Sequence, residues 1–295
     1  MSQASVHEDW NPSAFNRAWA FRIASSVCRI LPRSALYAAA ENLFDWHQAW
    51  KPETTAAVAD NLSKAFPDLP RTEAEALAAR TITSYGLSLV DYFRSPFDPA
   101  TVRACDVEAE RSFAGRGGHI VVTAHLGSWE VGGAHIGRNY RRQLIVSYPE
   151  RDSGVGTFRE AQRRTTGQAT ITAGRNALTP FRLRRTLESG ENVIVLVDRA
   201  IKRDRVPVTF RGRAAYFLRS PALFSALAGA PIVPVAVMRD GPALYTGYAG
   251  SPAVARPGED GAREAMQRVA DFFSGILERY PDQWYNFFRY WQEAP

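Results

Sequence analysis

The strongest constraint on the fold of this chain is a change in its hydrophobic pattern near residue 119. Up to that point apolar residues recur at helical spacing, and beyond it short β-branched runs alternate with helical stretches. Such alternation is typical of a parallel sheet that helices cover on both faces. We predict strands over residues 120–123, 144–147, 170–172, 193–197, 206–210 and 232–238, with helices over residues 158–165, 178–188, 221–228 and 263–280.

The part of the chain before the sheet predicts an all-helical lead-in. Helical spacing covers residues 14–31, 35–50, 54–65 and 72–93, and Thr72 with Glu75 has the pattern of a capping box. The sequence therefore predicts an α/β fold with a mostly parallel central sheet. We divide it into a helical region over residues 1–100 and an α/β core over residues 101–295, which together form one globular unit.

A histidine follows the first predicted strand of the core. Ser128 offers a cap for a helix that starts at Trp129, so Glu130 lies in the first turn of that helix. If Glu130 accepts one imidazole N–H of His125, it fixes the tautomer and leaves the other nitrogen as a general base. The backbone N–H groups of Gly127 and Ser128 would then face developing negative charge. The alternative is a loop histidine beside a surface glutamate.

Asp198 follows another predicted strand directly, over residues 193–197. The carboxyl ends of parallel strands meet at one edge of the sheet, where ligands bind in open α/β folds. We therefore expect Asp198 beside His125 at this edge. The alternative is an aspartate that caps a turn or pairs with an arginine.

The composition limits the partners of the chain. The net charge of +6 suits anionic lipid headgroups, an acidic carrier protein or nucleic acid, but no nucleic-acid-binding pattern is present. The two cysteines, Cys28 and Cys105, do not form a Cys-x-x-Cys pair, which favours a reducing compartment. Further basic residues suit an acidic acyl carrier protein, namely Arg182, Arg184, Arg185, Lys202, Arg203 and Arg205.

Near its start the chain has a candidate membrane-surface helix. No apolar run reaches the 18 or so residues of a spanning helix. Arg22 and Arg29 flank an apolar stripe, as in helices that lie in a membrane interface, and the alternative is an ordinary packed helix. The stripe consists of Phe15, Trp19, Ile23, Val27 and Ile30.

Four blocks resemble, in the same order, the late lipid A biosynthesis acyltransferase branch of the lysophospholipid acyltransferase superfamily. Ala-His-Leu-Gly-Ser-Trp-Glu at residues 124–130 resembles its His-x4-Asp/Glu motif. Asn-Leu and Phe-Pro within residues 61–67, Gly-Ala-Pro-Ile-Val-Pro at 229–234 and Pro-Asp-Gln-Trp at 281–284 resemble three further segments. The resemblance covers nearly the whole chain from residue 42 onward.

This resemblance implies an O-acyltransferase. Such an enzyme moves a fatty acyl group from a thioester of acyl carrier protein or coenzyme A to a hydroxyl of a lipid acceptor. The acceptor would be similar to a lipid A precursor or another glycolipid or aminolipid. No cofactor and no metal are implied. Members of the family commonly begin with a membrane-anchoring apolar helix, and this chain departs from that pattern. Because no apolar run is long enough to span a membrane, we expect a peripheral location on the cytoplasmic face of the inner membrane.

The resemblance also implies site residues besides His125 and Glu130. Arg163 and Arg164, with Arg159 and Arg175 nearby, lie where the family has an arginine that contacts the active site. We prefer Arg164 as the catalytic one and expect Arg163 and Arg175 to bind substrate, and the alternative is a solvated helix face that is rich in arginine. Family members often have Asp-x-Asp where this chain has Asp-Arg-Ala, so we expect Asp198 to be catalytic and Arg199 to bind substrate. The acceptor contacts that the resemblance implies are Arg211, Gly212 and Arg213.

Three rival functions are considered. A hydrolase could use Ser128 as nucleophile, but no Gly-x-Ser-x-Gly elbow is present. A metal enzyme could use His125, Glu130 and His135, but ligands five residues apart do not share one helical face. A non-catalytic lipid-binding module would use the same fold and the same basic surface.

Overall fold

The computed structural model describes residues 17–106, 118–140, 142–150, 152–174 and 178–291. The helices are α1 (Ala18–Ile30), α2 (Arg33–Trp50), α3 (Pro52–Ala65), α4 (Arg71–Arg94), α5 (Trp129–Asn139), α6 (Ser153–Arg164), α7 (Thr179–Glu188), α8 (Ser220–Ala228) and α9 (Gly258–Arg279). The strands are β1 (Thr101–Ala104), β2 (Ile120–Thr123), β3 (Gln143–Ser147), β4 (Gln168–Thr172), β5 (Asn192–Leu196), β6 (Val206–Phe210), β7 (Arg213–Phe217), β8 (Ile232–Gly241) and β9 (Leu244–Ala249).

A seven-stranded sheet forms the centre of the molecule, in the order β1-β9-β8-β2-β5-β3-β4. The strands from β8 to β4 are parallel, whereas β9 pairs antiparallel with β8 and parallel with β1. Strands β6 and β7 form a separate antiparallel hairpin. The predicted α/β class with a mostly parallel sheet is confirmed, although the sequence does not predict β1, β7 or β9.

Strand β2 lies in the middle of this sheet, and its side chains are buried on both faces. Ile120 and Val122 belong to the largest apolar cluster, together with β5, α8 and α9. Val121 points to a different apolar cluster, which contains residues of β3, β5 and β8. Continuous burial of β-branched side chains is what a central parallel strand requires.

The helical region is joined to the sheet by a buried carboxylate. Asp91 of α4 accepts hydrogen bonds from the hydroxyls of Tyr37 (2.7 Å) and Tyr245 (2.7 Å), and Arg33 lies 3.2 Å from it. These contacts connect α2, α4 and β9. Burial raises the pKa of Asp91 above its ordinary value, although the three partners oppose that effect.

The start of α4 differs from the prediction. The helix begins at Arg71, so Thr72 lies inside its first turn instead of capping it. The Glu75 carboxylate accepts a hydrogen bond from Arg71 Nε at 3.0 Å. The predicted capping box is therefore wrong, because an i,i+4 ion pair occupies the glutamate.

Helix α1 has apolar side chains on both its buried face and its exposed face. Phe21 and Cys28 are buried in a cluster with α2, α4 and α6. The outward residues are Trp19 (59% exposed), Ile23 (57%), Val27 (39%) and Ile30 (81%), while Phe15 of the predicted stripe lies outside the described residues. Within the part of the chain that the structure describes, no helix is long and apolar enough to cross a membrane.

Candidate active site

Register between two central strands brings His125 and Asp198 together. Thr123 at the end of β2 is opposite Leu196 at the end of β5. His125 and Asp198 each lie two residues beyond this pair, so both side chains reach the carboxyl edge of the sheet at the same level. The sequence-based expectation that Asp198 lies beside His125 is confirmed by a contact of 2.8 Å between His125 Nδ1 and Asp198 Oδ1.

Asp198 holds the histidine through both carboxylate oxygens. Its Oδ2 accepts the backbone N–H of His125 at 3.1 Å and the side-chain amide of Asn286 at 3.2 Å. Burial alone would raise the pKa of this carboxyl, but His125, Arg199 and Asn286 lower it to about 2. Asp198 is therefore ionised at neutral pH and can only accept a hydrogen bond from the ring.

The imidazole of His125 is arranged to accept a proton on its second nitrogen. Because Asp198 is an acceptor, Nδ1 carries the hydrogen and Nε2 has the free lone pair. Burial lowers the pKa of His125 below its ordinary value and Arg199 lowers it further, whereas Asp198 raises it. The indole of Trp129 packs edge-on against the ring, with centroids 5.0 Å apart.

Glu130 does not have the position that the sequence suggests. Its carboxylate accepts two hydrogen bonds from Arg163, at 2.7 Å from Nη2 and 3.2 Å from Nε, and Arg159 lies 3.9 Å away. Burial would raise the pKa of Glu130, but Arg163 and Arg159 hold it below its ordinary value. The expectation that Glu130 orients His125 is therefore corrected, because Asp198 is the carboxylate on Nδ1 and Glu130 is engaged by α6.

Of these two neighbouring arginines, Arg163 is the one that is buried and contacts Glu130, and not the preferred Arg164. The Arg163 side chain is 8% exposed, whereas that of Arg164 is 68% exposed and pairs with Glu160 of the same helix at 2.6 Å. Adjacent positions of a helix point about 100° apart, so only one of the two can face the core. Arg175 lies outside the described residues.

The backbone N–H groups of Gly127 and Ser128 already donate hydrogen bonds to backbone carbonyls. Gly127 N–H donates to the carbonyl of Gln283 at 2.8 Å, and Ser128 N–H donates to the carbonyl of Val237 at 2.7 Å. Gly127 has φ 66, and a Cβ there would lie 2.2 Å from the Val237 oxygen. These hydrogen bonds join the loop after His125 to Gln283 and Val237. Because both N–H groups already have acceptors, the expectation that they stabilise an oxyanion does not fit this geometry.

Residues 281–291 follow α9 and return across the site, and we call them the C-terminal segment. The Tyr285 N–H donates to the carbonyl of His125 at 2.7 Å, and Leu126 forms an isolated bridge with Trp284. Arg199 reaches the same segment, donating to the Tyr285 carbonyl at 2.8 Å and to Asn286 Oδ1 at 2.9 Å.

Asn286 is the site residue that sequence reasoning missed. It is a buried polar residue between Tyr285 and Phe287, in a run of residues that is otherwise mostly aromatic. A polar residue that interrupts an aromatic run in this way is the only local signal, because its partners lie far away in the sequence. One of them, Asp198, is 88 residues away.

The expected acceptor contacts lie at the tip of the β6–β7 hairpin. Arg211 and Gly212 have φ 49 and φ 73, as the tight turn requires. Arg211 Nε donates to the Ala65 carbonyl at 3.2 Å, and Arg213 Nε donates to the Lys64 carbonyl at 2.8 Å. These guanidinium groups cap the end of α3, so the structure gives them a structural contact and does not bring them to His125.

His135, the third residue of the rival metal hypothesis, faces a different environment. Its ring nitrogen lies 3.1 Å from Asn139 Nδ2 and its ring packs against Tyr140. Among the residues that the structure describes, no group of three or more His, Cys, Asp or Glu side chains could hold a metal ion.

Comparison with known proteins agrees with the resemblance seen in the sequence. A family model described as bacterial lipid A biosynthesis acyltransferase matches residues 7–293. No curated protein matches the chain. The match spans the helical region, the sheet and the C-terminal segment, so every part of the site lies within it.

Proposed function

The chain belongs to the bacterial lipid A biosynthesis acyltransferase family, and we propose that it acylates a lipid hydroxyl with His125 as the general base. Membership of the family makes it an acyltransferase with an acyl donor and a lipid acceptor. The observation that carries the finer proposal is the 2.8 Å contact between His125 Nδ1 and Asp198. It leaves Nε2 as the proton acceptor.

In this proposal the reaction needs no covalent enzyme intermediate. Nε2 of His125 takes the proton of the acceptor hydroxyl while the hydroxyl oxygen attacks the thioester carbonyl carbon. The tetrahedral intermediate then collapses, the carbon–sulfur bond breaks, and the imidazolium returns the proton to the leaving thiolate. Asp198 stabilises the imidazolium that forms in between, and such base catalysis contributes about 10²- to 10⁴-fold in rate.

Positive groups near His125 would stabilise the negative charge on the oxygen of the tetrahedral intermediate. Helix α5 begins at Trp129, only four residues after the histidine, so the positive end of its dipole lies close to the site. Arg199 is near enough to lower the pKa of His125. We propose that these two features, rather than the occupied N–H groups of Gly127 and Ser128, stabilise the negative charge.

Glu130 and Arg163 have a supporting role in this proposal. Their bidentate pair joins α5, which begins beside His125, to α6. Arg159 lies 3.9 Å from the same glutamate and is near enough to His125 to lower its pKa. Glu130 thus orients Arg163, and Asp198 orients the base.

We further propose a thioester of acyl carrier protein or coenzyme A as the donor and a peripheral site on the cytoplasmic face of the inner membrane. The net charge of +6 suits both an acidic carrier and anionic lipid headgroups. The outward apolar residues of α1 lie next to the exposed Arg22 and Arg29, which suits an interfacial helix.

The test is thiol release from a panel of acyl carrier protein and acyl-CoA thioesters, with membrane lipid extracts as acceptor and mass spectrometry of the lipids. We expect wild-type protein to release thiol and one lipid to gain one acyl mass. His125→Gln should lose about 10²- to 10⁴-fold of this activity. His135→Gln is the matched control, because this second histidine contacts Asn139 and Tyr140 of its own helix region and should leave the rate unchanged.

Two results would contradict the proposal. Full activity in His125→Gln would exclude this histidine as the base. Thiol release accompanied by free fatty acid, with no acylated lipid, would mean that water is the acceptor and that the enzyme acts as a thioesterase.

A further inference from the structure

The amide side chain of Asn286 connects two oppositely charged groups. Its Nδ2 donates to Asp198 Oδ2 at 3.2 Å, and its Oδ1 accepts from Arg199 Nε at 2.9 Å. Asn286 is 1% exposed and Asp198 is 2% exposed. Buried amides of this kind are held in one orientation by their partners.

The orientation of this amide follows from the chemistry of its neighbours. An arginine can only donate hydrogen bonds and an ionised carboxylate can only accept them. Arg199 must therefore contact the oxygen of Asn286, and the NH₂ group must face Asp198. No other arrangement of the amide satisfies both groups.

Without an intervening residue, a guanidinium next to a carboxylate forms a direct and often bidentate pair. Such a pair would compete with the imidazole for the oxygens of Asp198. In the structure the Arg199 guanidinium instead donates to Asn286 Oδ1 and to the backbone carbonyl of Tyr285. Asp198 Oδ1 is thus available to the His125 ring.

We propose that Asn286 is a positioning residue whose side-chain amide separates Arg199 from Asp198 and so reserves that carboxylate for the imidazole. The inference rests on the proposed role of His125 as the base. It assigns a function in the site to the C-terminal segment, since this segment supplies the residue that keeps the carboxylate on Nδ1.

A control variant can be made at Asn61, which contacts the backbone of the C-terminal segment. Asn61 of α3 donates through Nδ2 to the carbonyls of Asn286 (3.0 Å) and Phe288 (2.7 Å), and its Oδ1 accepts the N–H of Tyr290 at 2.7 Å. Asn61 therefore holds the backbone of the segment, while its hydrogen bonds do not involve Asp198. Asn61→Ser should loosen the segment and leave the separation of the two charges in place.

The experiment is a pH titration of the His125 ring by NMR, with the resonance assigned by its loss in His125→Gln. The charged groups near this ring are Asp198 and Arg199, which follow β5, and Arg159 of α6. In Asn286→Leu we expect Arg199 to pair with Asp198, and the weakened carboxylate should lower the pKa of His125. Asn286→Asp keeps the side-chain shape but adds a carboxylate, which should raise that pKa.

Kinetics complete the test. We expect Asn286→Leu to lose about 10- to 100-fold in kcat with little change in KM, because the base is misplaced while the substrate sites are intact. Asn61→Ser should lower the melting temperature and change the pKa of His125 less than Asn286→Leu does, because it keeps the side-chain amide of Asn286.

The proposal is overturned if neither Asn286 variant changes the pKa of His125, or if Asn61→Ser changes it equally. The NMR titration does not depend on turnover. If the Asn286 variants change the pKa as expected while His125→Gln remains fully active, the positioning role stands and the proposed role of His125 as base fails.

Discussion

The imidazole of His125 lies between a carboxylate that favours its protonation and positive groups that oppose it. Asp198 is 2.8 Å from Nδ1, and Arg199 and burial act in the other direction, with a net lowering of the pKa. A general base works in its unprotonated form. At the scale of the residue, the lowered pKa means that most His125 rings have no proton on Nε2 at neutral pH and can act as the base.

This balance predicts the pH dependence of the enzyme. Acidification protonates His125 and removes the base, so kcat/KM should fall on the acid side. Because the pKa of His125 is lowered, the midpoint should lie below the ordinary histidine value of about 6.5. The measurement is kcat/KM from pH 4.5 to 8.5 with a thioester donor.

Asp198→Asn provides the comparison for that profile. Loss of the negative charge should move the acid limb to still lower pH, and the plateau should fall because the tautomer is no longer fixed. A profile that keeps its midpoint near 6.5 or above in the wild type would contradict the pKa direction. An unchanged plateau in Asp198→Asn would contradict the orienting role.

At the scale of the element, an ion pair between helices supports the site. Glu130 of α5 and Arg163 of α6 are 11% and 8% exposed, so removal of one partner leaves a buried charge without its main counter-ion. We expect Arg163→Ala to lower the free energy of unfolding by roughly 3 kcal/mol. Chemical denaturation with circular dichroism measures this change.

The adjacent arginine is the matched control. Arg164 is 68% exposed, so Arg164→Ala should change the free energy of unfolding by no more than about 0.5 kcal/mol. The double variant Glu130→Gln/Arg163→Met should lose less stability than Arg163→Ala, because neither charge is left alone. Equal effects of Arg163→Ala and Arg164→Ala would disprove the assignment.

Strands with continuous β-branched runs could be predicted from the sequence, because burial on both faces leaves a local signature. β2 has the predicted bounds, and β5 differs by one residue at each end. β6 also has the predicted bounds, although its side chains alternate between buried and exposed. In contrast, β1 is a short edge strand, β7 has two alanines in its centre, and β9 contains Gly247, so none of them has such a run. Their place in the fold depends on pairing with distant strands.

The sequence narrows the carboxylate that contacts His125 to two residues, but it does not decide between them. Both Glu130 and Asp198 are acceptors within reach of a strand-end histidine, and the choice depends on the register of β2 with β5. The sequence also cannot reveal that α6 places Arg163 on Glu130. Asn286 could not be predicted for a similar reason, because it meets Asp198 and Arg199 only in the folded molecule.

At the scale of the whole molecule, helices α1 and α2 of the helical region both expose apolar side chains. The outward residues of α1 range from 39% to 81% exposed, and the tryptophans Trp46 and Trp50 of α2 are 51% and 69% exposed. Apolar side chains bordered by arginines bind membrane interfaces that carry anionic lipids. This surface fits the peripheral membrane location that we propose for the enzyme.

We predict that the double variant Trp19→Ser/Ile23→Ser weakens binding to phosphatidylglycerol-containing vesicles by at least about tenfold, because each side chain loses roughly 1.5 kcal/mol or more of apolar burial. Both residues are exposed, so the fold should persist. Leu227→Ser is the control, since Leu227 is 81% exposed on α8, outside the α1 stripe. Vesicle co-sedimentation measures the binding, and equal loss in the control would exclude α1 as the contact.

The way in which the C-terminal segment completes the site has a consequence for translation. Asn286 lies 88 residues after Asp198, and the Tyr285 N–H that holds the His125 carbonyl comes equally late. At usual rates of synthesis those residues leave the ribosome on the order of ten seconds after β5 does. A nascent chain can therefore form β2 and β5 while its base is still unsupported. We therefore expect a nascent chain that lacks the C-terminal segment to lack the full acyltransferase activity of the finished chain.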